Sequence, residues 1–147
     1  MYRNRHSGKN RKVRQVADTM VHFFQSQGIK VMRYDAYSTS SIYLKLDYGM
    51  LYTMRISDHP GKKYLRYRYN IIKEYHGHRY EPTDWGWNRE FIAINPDKLN
   101  KMCLDILKMR ASKIRQLGLY GYQEELDHRH EKNANNRGFW QQAKDLG

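Results

Sequence analysis

Three consecutive stretches of this chain alternate between apolar and polar residues, and this period of two constrains the fold more than any other feature of the sequence. The stretches are SIYLKLD (41–47), LYTMRIS (51–57) and YLRYRYNII (64–72). Turn residues separate them: YGM (48–50) follows the first, and Pro60-Gly61, the central pair of a type II turn, follows the second. Short alternating runs joined by turns are typical of antiparallel strands, so we predict a meander.

A helical repeat of apolar residues precedes the meander. Between residues 11 and 27 the apolar positions recur every three or four residues, and Gly28 offers a helix stop. The repeat consists of Val13, Val16, Met20 and Phe23 or Phe24. We therefore predict an amphipathic first helix, followed by a strand in IKVMRYD (29–35).

A second, longer helix is predicted after the meander. Asn95, Pro96 and Asp97 combine an N-cap side chain, a first-turn proline and an acid beside the positive end of the helix dipole. An apolar stripe then runs to residue 117, and Gly118 ends it. Before this helix we predict a strand over 91–94 and a long loop from 73 to 88, rich in His, Tyr and Trp.

These elements predict an α+β fold. An antiparallel sheet of four to five strands is flanked by an N-terminal helix and a longer C-terminal helix. Residues 1–10 are expected to form a basic, disordered N-terminal arm, 11–118 the α+β domain, and 119–147 a polar, partly helical C-terminal tail. The order of elements is analogous to that of double-stranded-RNA-binding domains. In those domains basic side chains at the start of the last helix contact phosphates, but here Asp97 lies at the equivalent position.

Positive charge is concentrated in two segments of the chain. Lys and Arg number 27 against 15 Asp and Glu, a net charge of +12. The segments are MYRNRHSGKNRKVR (1–14) and KKYLRYRYN (62–70), the second interleaved with tyrosines. A small protein this basic most often binds phosphates or a strongly acidic protein surface.

The predicted meander also places cations and tyrosines on one face of the sheet. Such a face can pair cations with phosphates and stack rings on bases, and the alternative is an ordinary solvated sheet face. The candidate nucleic-acid- or partner-binding residues are Arg3, Arg5, Lys9, Arg11, Lys12, Arg14, Lys45, Arg55, Lys62, Lys63, Arg66, Arg68, Tyr43 and Tyr64.

Catalytic and metal-binding patterns are weak in this sequence. The pairs His76/His78 and His128/His130 lack an obvious third ligand. Asp58-His59 could suggest acid–base or nuclease chemistry, but aspartate also suits a turn. We therefore expect no enzymatic activity, no metal and no cofactor.

The cysteine count and the lengths of the apolar runs indicate where in the cell the protein is expected. Cys103 is the only cysteine, which excludes an internal disulfide, and we expect a buried, inert thiol. No apolar run approaches the ~20 residues of a membrane span, and no apolar segment of a signal peptide follows the basic start. We expect a cytoplasmic protein.

A resemblance narrows the functional expectation. The stretch YTMRISDHPGKKYLRYRYN (52–70), with the preceding SSIYLKLDYG (40–49), resembles small proteins carried by phages and mobile elements of Gram-positive bacteria. More narrowly, it resembles a broad-spectrum family of type II anti-CRISPR proteins. That family carries an Arg-x-Ser-Asn/Asp-His step, which is matched here by residues 55–59, RISDH. The likeness extends in architecture over residues 1–118.

The resemblance implies inhibition of a type II RNA-guided DNA endonuclease, not catalysis. Such an effector holds its guide RNA and target DNA in positively charged channels. A basic inhibitor therefore more naturally engages the guide RNA or the nucleoprotein complex than mimics DNA. The alternatives are a phage or mobile-element DNA- or RNA-binding accessory protein unrelated to CRISPR and, at lower weight, a metal-dependent nuclease.

Overall fold

The computed structural model describes residues 11–36, 41–58, 69–75, 88–134 and 143–147. A short 3-10 turn, Asp47–Gly49, joins the second and third strands. The elements are α1 (Arg11–Ser26), β1 (Val31–Asp35), β2 (Ser41–Leu46), β3 (Thr53–Asp58), β4 (Tyr69–Tyr75), β5 (Asn88–Ala93), α2 (Pro96–Ala134) and β6 (Lys144–Asp145). The predicted α+β class, an antiparallel sheet with an N-terminal helix and a longer C-terminal helix, is confirmed.

The strands form one antiparallel sheet in the order β5-β4-β3-β2-β1-β6. Its register pairs Ile42 with Ile56, and Ile56 with Ile71, as the alternation of the meander predicts. β6 is a two-residue strand beside β1 that the sequence analysis did not predict. It extends the sheet beyond the four to five strands expected.

The β4–β5 ladder reaches into the range where a loop was predicted. Lys73, Glu74 and Tyr75 pair with Glu90, Arg89 and Asn88. The loop prediction was therefore wrong at both of its ends. The sequence at these strand ends is KEY (73–75) and NRE (88–90), in which hydropathy does not alternate, so the pattern gives no signal there although the backbones pair.

The main core lies between one face of the sheet and the two helices. On β2 and β3 the even-numbered apolar residues, from Ile42 to Leu46 and at Met54 and Ile56, are buried, and α1 and α2 cover them with their apolar stripes. Its fully buried residues include Val13, Ala17, Phe24, Val31, Leu44, Leu46, Leu51, Ile56 and Ile106. α1 ends just before Gly28, whose φ of +79° lies in the left-handed region that glycine adopts without strain.

The strand register defines two ends of the sheet. Asp35, Ser41, Asp58, Tyr69 and Ala93 lie at one end, because they begin or finish strands that pair there. We call this the upper end. The 3-10 turn between β2 and β3 lies at the opposite, lower end.

α1 runs from the upper end to the lower end. Near its finish, Gln25 Nε2 donates to the carbonyl of Leu146 over 2.8 Å, and Leu146 N in turn donates to the carbonyl of Val31, where β1 begins. Asp18, about 10 Å earlier along the helix, bonds Arg33 at 2.7 Å, farther up β1. The start of α1 therefore points to the upper end.

α2 also starts at the upper end, since Pro96 follows directly on β5. Its fourth turn reaches the lower end, where Arg110 Nε lies 2.9 Å from Asp47 Oδ2. Gly118, with φ of +77° and ψ of 163°, then breaks the helix at the position predicted as its end. The described part of the chain nevertheless resumes a helical course from 119 to 134. Neither helix carries an apolar stretch long enough to cross a membrane.

After Gly118 the chain passes to the other face of the sheet. Met32 is the register partner of Lys45, so both side chains point away from the main core. Tyr122 and Leu126 pack against Met32 in a second, smaller core. The segment 119–134, assigned in the sequence analysis to a polar tail, thus covers part of the second sheet face.

The lower end is organised by one buried carboxylate. Asp47 is fully buried and accepts hydrogen bonds from the Lys30 amide (2.8 Å), from Arg110 Nε and from the hydroxyl of Tyr122. Its own amide donates to the Lys30 carbonyl over 2.8 Å. Burial, reinforced by the charge of Asp47, raises the pKa of Tyr122, so this hydroxyl keeps its proton. The four residues, which we call the Asp47 cluster, tie the α1–β1 loop to both halves of α2.

Replacing Asp47 by asparagine should destabilise the protein by about 2–4 kcal/mol, because Arg110 would lose the charge that compensates its partial burial. Asparagine tolerates the φ of +46° at this position, so the change isolates the charge. Urea unfolding at neutral pH measures the effect. The control is Asp105→Asn, which removes a carboxylate from a solvent-exposed pair with Lys101 and should cost about 0.5 kcal/mol or less. Similar losses in both variants would contradict the role given to Asp47.

Candidate nucleic-acid interface

The two basic segments of the sequence enter the described fold at the same end. Residues 1–10 lead into Arg11, the first residue of α1, and α1 starts towards the upper end. Residues 59–68 connect Asp58, where β3 finishes, to Tyr69, where β4 begins, and these two residues are register partners at the upper end. The topology therefore brings together the attachment points of two cationic segments that are far apart in sequence.

The described cations of the first segment are surface residues. Arg11, Lys12 and Arg14 are exposed on the first turns of α1, and that first turn contains no acidic residue. Cations near the positive end of a helix dipole each weaken the helix by about 0.3–1 kcal/mol. Because this charge opposes the dipole of α1, we take these cations as candidate contacts for a partner that carries negative charge.

A second helix start lies at the same end. Lys98 N donates to the side-chain oxygen of Asn95 over 3.0 Å, which confirms the predicted N-cap of α2. Asp97 and Lys98 are both exposed on this first turn. The upper end thus carries two helix N-termini, and the positive ends of their dipoles attract anions.

The second sheet face presents an aromatic and cationic cluster. The rings of Tyr34 and Tyr43 lie 6.1 Å apart and tilted by 39°, and Arg55 Cζ lies 5.7 Å from the centre of the Tyr43 ring. Arg55 Nε also donates to Ser41 Oγ over 2.9 Å, which fixes the guanidinium. We call Tyr34, Tyr43 and Arg55 the tyrosine–arginine cluster. All three side chains are half-buried.

Tyr34 was not among the residues singled out from the sequence. The alternation of β1 does contain the signal, because Met32 and Tyr34 must share a face, and Tyr34 is the register partner of Tyr43. The strand prediction therefore sufficed to find it once β1 and β2 were paired.

Lys45 lies on the same face but not on an open surface. The C-terminal half of α2 crosses this part of the sheet and brings Arg129 close to Lys45. Both side chains approach Gly49: a Cβ atom built on that glycine would lie 3.2 Å from Arg129 Nη1 and 3.9 Å from Lys45 Cδ. Burial, with the charge of Arg129 as the second cause, lowers the pKa of Lys45 to about 8. The expectation of a solvent-facing cation here needs correction, because the sequence analysis did not foresee a helix over this part of the sheet.

Several predicted residues fall outside the part of the chain that the structure describes. These are Arg3, Arg5, Lys9, Lys62, Lys63, Tyr64, Arg66 and Arg68, together with the histidines of the 59–78 range. Within the family-like step, Arg55 belongs to the tyrosine–arginine cluster and Ser57 is fully buried. The remaining candidates, Arg11, Lys12, Arg14, Tyr43 and Lys45, are placed as given above.

The potential chemistry of other groups is limited in the described residues. Among them no three His, Cys, Asp or Glu side chains come together as metal ligands would. His130 stacks on Tyr48 with ring centres 4.9 Å apart and lies 3.5 Å from Asp145. Burial and the hydrogen bond to Asp145 raise the pKa of Tyr48 to about 12. Cys103 is half-buried, and burial raises its pKa, so little of it is thiolate at neutral pH.

No family model matches the chain, and neither a curated protein nor a solved structure does. The functional conclusion therefore depends on the charges, the topology and the side-chain clusters of the chain itself.

Replacing Lys45 by methionine should stabilise the protein at pH about 7 and much less at pH about 9.5. A folded-state pKa below the ordinary value means that the native state binds fewer protons than the unfolded state between those two values, so the stability of the wild type rises over that range. At pH values below this range Lys45 is charged in both states, and its partial burial lowers the free energy of unfolding by about 1 kcal/mol once solvent screening is allowed for.

Urea unfolding at the two pH values measures this difference. The control is Lys30→Met, because the Lys30 side chain is exposed and its removal relieves no buried charge, so no comparable gain is expected at pH about 7. An equal gain for Lys45→Met at both pH values, or a loss at pH about 7, would contradict the placement of Lys45 beneath the helix.

Proposed function

We propose that this protein binds the guide RNA complex of a type II RNA-guided DNA endonuclease, or the effector itself, and inhibits it in the cytoplasm of a bacterial host. The observation that carries the proposal is that the points where both basic segments join the described fold, Arg11 for the first and Asp58 and Tyr69 for the second, lie at the upper end of the sheet. No catalytic step by this chain is part of it.

Electrostatics supports an RNA-containing partner. A net charge of +12, with exposed cations at the start of α1, favours phosphates and repels the basic channels of such an effector. A protein that mimics DNA needs an acidic surface, and this chain has the opposite sign. The phosphates of guide RNA carry negative charge and therefore attract the cations of this chain.

The tyrosine–arginine cluster supports contact with unpaired bases. Tyr43 offers a ring whose partner guanidinium, Arg55, is already fixed by Ser41. Stacking of a base on such a ring is worth about 1–3 kcal/mol and tolerates any sequence. Bases of a guide are available for stacking where they are not in a duplex. The cluster therefore favours single-stranded segments of the RNA.

The family resemblance supports the narrower part of the proposal. Residues 55–59 match the Arg-x-Ser-Asn/Asp-His step, and the domain order is that implied for the inhibitors. The same cations equally suit a DNA- or RNA-binding accessory protein of a phage or mobile element. The two functions differ in what is bound most tightly: an inhibitor prefers the effector–guide complex to naked RNA of matched length.

Neutralising the start of α1 should weaken binding and inhibition together. In the triple variant Arg11→Gln, Lys12→Gln, Arg14→Gln, we expect about tenfold weaker binding to the effector–guide complex at physiological salt. Its salt dependence should also be shallower, because each lost phosphate contact lowers the slope of log K against log salt by about 0.7 for a single strand. Fluorescence anisotropy between about 50 and 300 mM salt measures both.

The matched control removes three cations elsewhere: Lys108→Gln, Arg115→Gln and Lys132→Gln, all exposed on α2 away from its start. This control should bind and inhibit DNA cleavage like the wild type. Equal weakening in both triple variants would remove the upper end from the interface. Tight binding to naked RNA without any inhibition of cleavage would favour the accessory function, and cleavage of nucleic acid by the protein alone with magnesium or manganese would favour a nuclease.

A further inference from the structure

α1 and α2 leave a groove between them that the proposed function does not use. The groove has a volume of about 570 Å³, opens to solvent and is lined by the faces of the two helices over 15–23 and 96–104. Each lining segment is about 12 Å long, which is the length of roughly two helical turns. The helices pack on the main-core face, so the groove lies on the opposite side of the sheet from Tyr43 and Arg55.

The floor of the groove is apolar although it faces solvent. Val16, Phe23 and Leu99 are only partly buried, and Leu104 is 56% exposed. On α1 the apolar lining recurs at residues 16, 20 and 23, the spacing that receives apolar side chains from a neighbouring helix. A third helix laid along the groove would bury this surface.

The charges around the groove indicate the chemistry of that helix. Within one turn of the lining residues, the described cations are Arg11, Lys12, Arg14, Lys98, Lys101 and Lys108, and the described carboxylates are Asp18, Asp97 and Asp105. Asp18 is already bound by Arg33, and Asp105 by Lys101. Both lining helices also start at the upper end of the sheet, where their dipoles are positive. The rim is therefore basic, most strongly at the upper end.

We propose that this groove binds an acidic amphipathic helix of a partner protein. The helix is two to three turns long, places apolar residues at i, i+3 or i+4 and i+7 in the groove, and directs its acidic residues to the basic rim. A second copy of this chain is a poorer occupant because it carries the same net charge of +12. The apolar lining of the groove is separate from the RNA-binding surface, although the cations at the start of α1 border both, so variants and labels in the lining test this proposal independently of RNA binding.

The test uses the full chain and three labelled peptides of about twelve residues. One carries leucines at the spacing given above and glutamates elsewhere, one carries lysines in place of the glutamates, and one has the acidic composition with its leucines spread around the helix. We expect micromolar binding of the first peptide by fluorescence anisotropy, and binding at least about tenfold weaker for the other two.

Two exposed leucines of α2 provide matched variants. Leu104→Asp should weaken binding of the first peptide at least about tenfold, because Leu104 lines the groove. Leu119→Asp should leave it unchanged, since Leu119 is 75% exposed and lies beyond the break at Gly118. Neither substitution opens a cavity, so thermal unfolding should show two folded variants.

Cys103 gives an independent readout of position. It is the only cysteine of the chain and lines the groove, so a maleimide reagent reports on this site alone. The first peptide should slow the labelling of Cys103, and the lysine peptide should not. Absence of binding, binding that leaves Cys103 labelling unchanged, or equal losses for Leu104→Asp and Leu119→Asp would overturn the proposal. A wild-type dimer that Leu104→Asp converts to monomers would also overturn it, in favour of a second copy as the occupant.

Discussion

The buried carboxylate of Asp47 is the interaction on which the rest of this fold depends. A fully buried charge is tolerated only when hydrogen bonds and an opposite charge compensate its desolvation, and here Lys30, Arg110 and Tyr122 do so together. These partners come from the α1–β1 loop and from both halves of α2. The hydrogen bonds to Asp47 therefore fix both the position of the first half of α2 over the main core and the position of its second half after Gly118.

That path gives the two ends of the second sheet face different surfaces. The C-terminal half of α2 closes the lower part of the second sheet face, where Lys45 loses solvent and its pKa falls. The upper end keeps exposed cations at a helix start that they weaken. Local violations of this kind are expected at functional sites, which is why we propose a partner that carries phosphates. The groove between the helices adds a second surface, whose apolar floor and basic rim suit a different partner.

The sequence predicted the elements that are determined by residues close together in the chain, such as alternating strands and capped helices. Period-two alternation identified β2 and β3, and Asn95 marked the start of α2. The polar strand ends at 73–75 and 88–90 gave no such signal, because their hydropathy does not alternate although their backbones pair in the sheet. Tyr122 and Leu126 lie in a polar stretch, and only long-range packing on Met32 buries them. For the same reason the placement of Lys45 could not be predicted, whereas the exposure of the cations at the start of α1 followed from helical periodicity.

Cross-linking to guide RNA tests the central claim most directly, namely that the upper end of the sheet and the tyrosine–arginine cluster contact RNA. The full chain would be bound to an effector–guide complex whose RNA carries photoreactive 4-thiouridine, irradiated and digested, and the cross-linked peptides identified by mass spectrometry. The account predicts cross-links in the start of α1, in the 59–68 segment and at Tyr43. Cross-links confined to residues 119–132, or none to RNA at all, would contradict it.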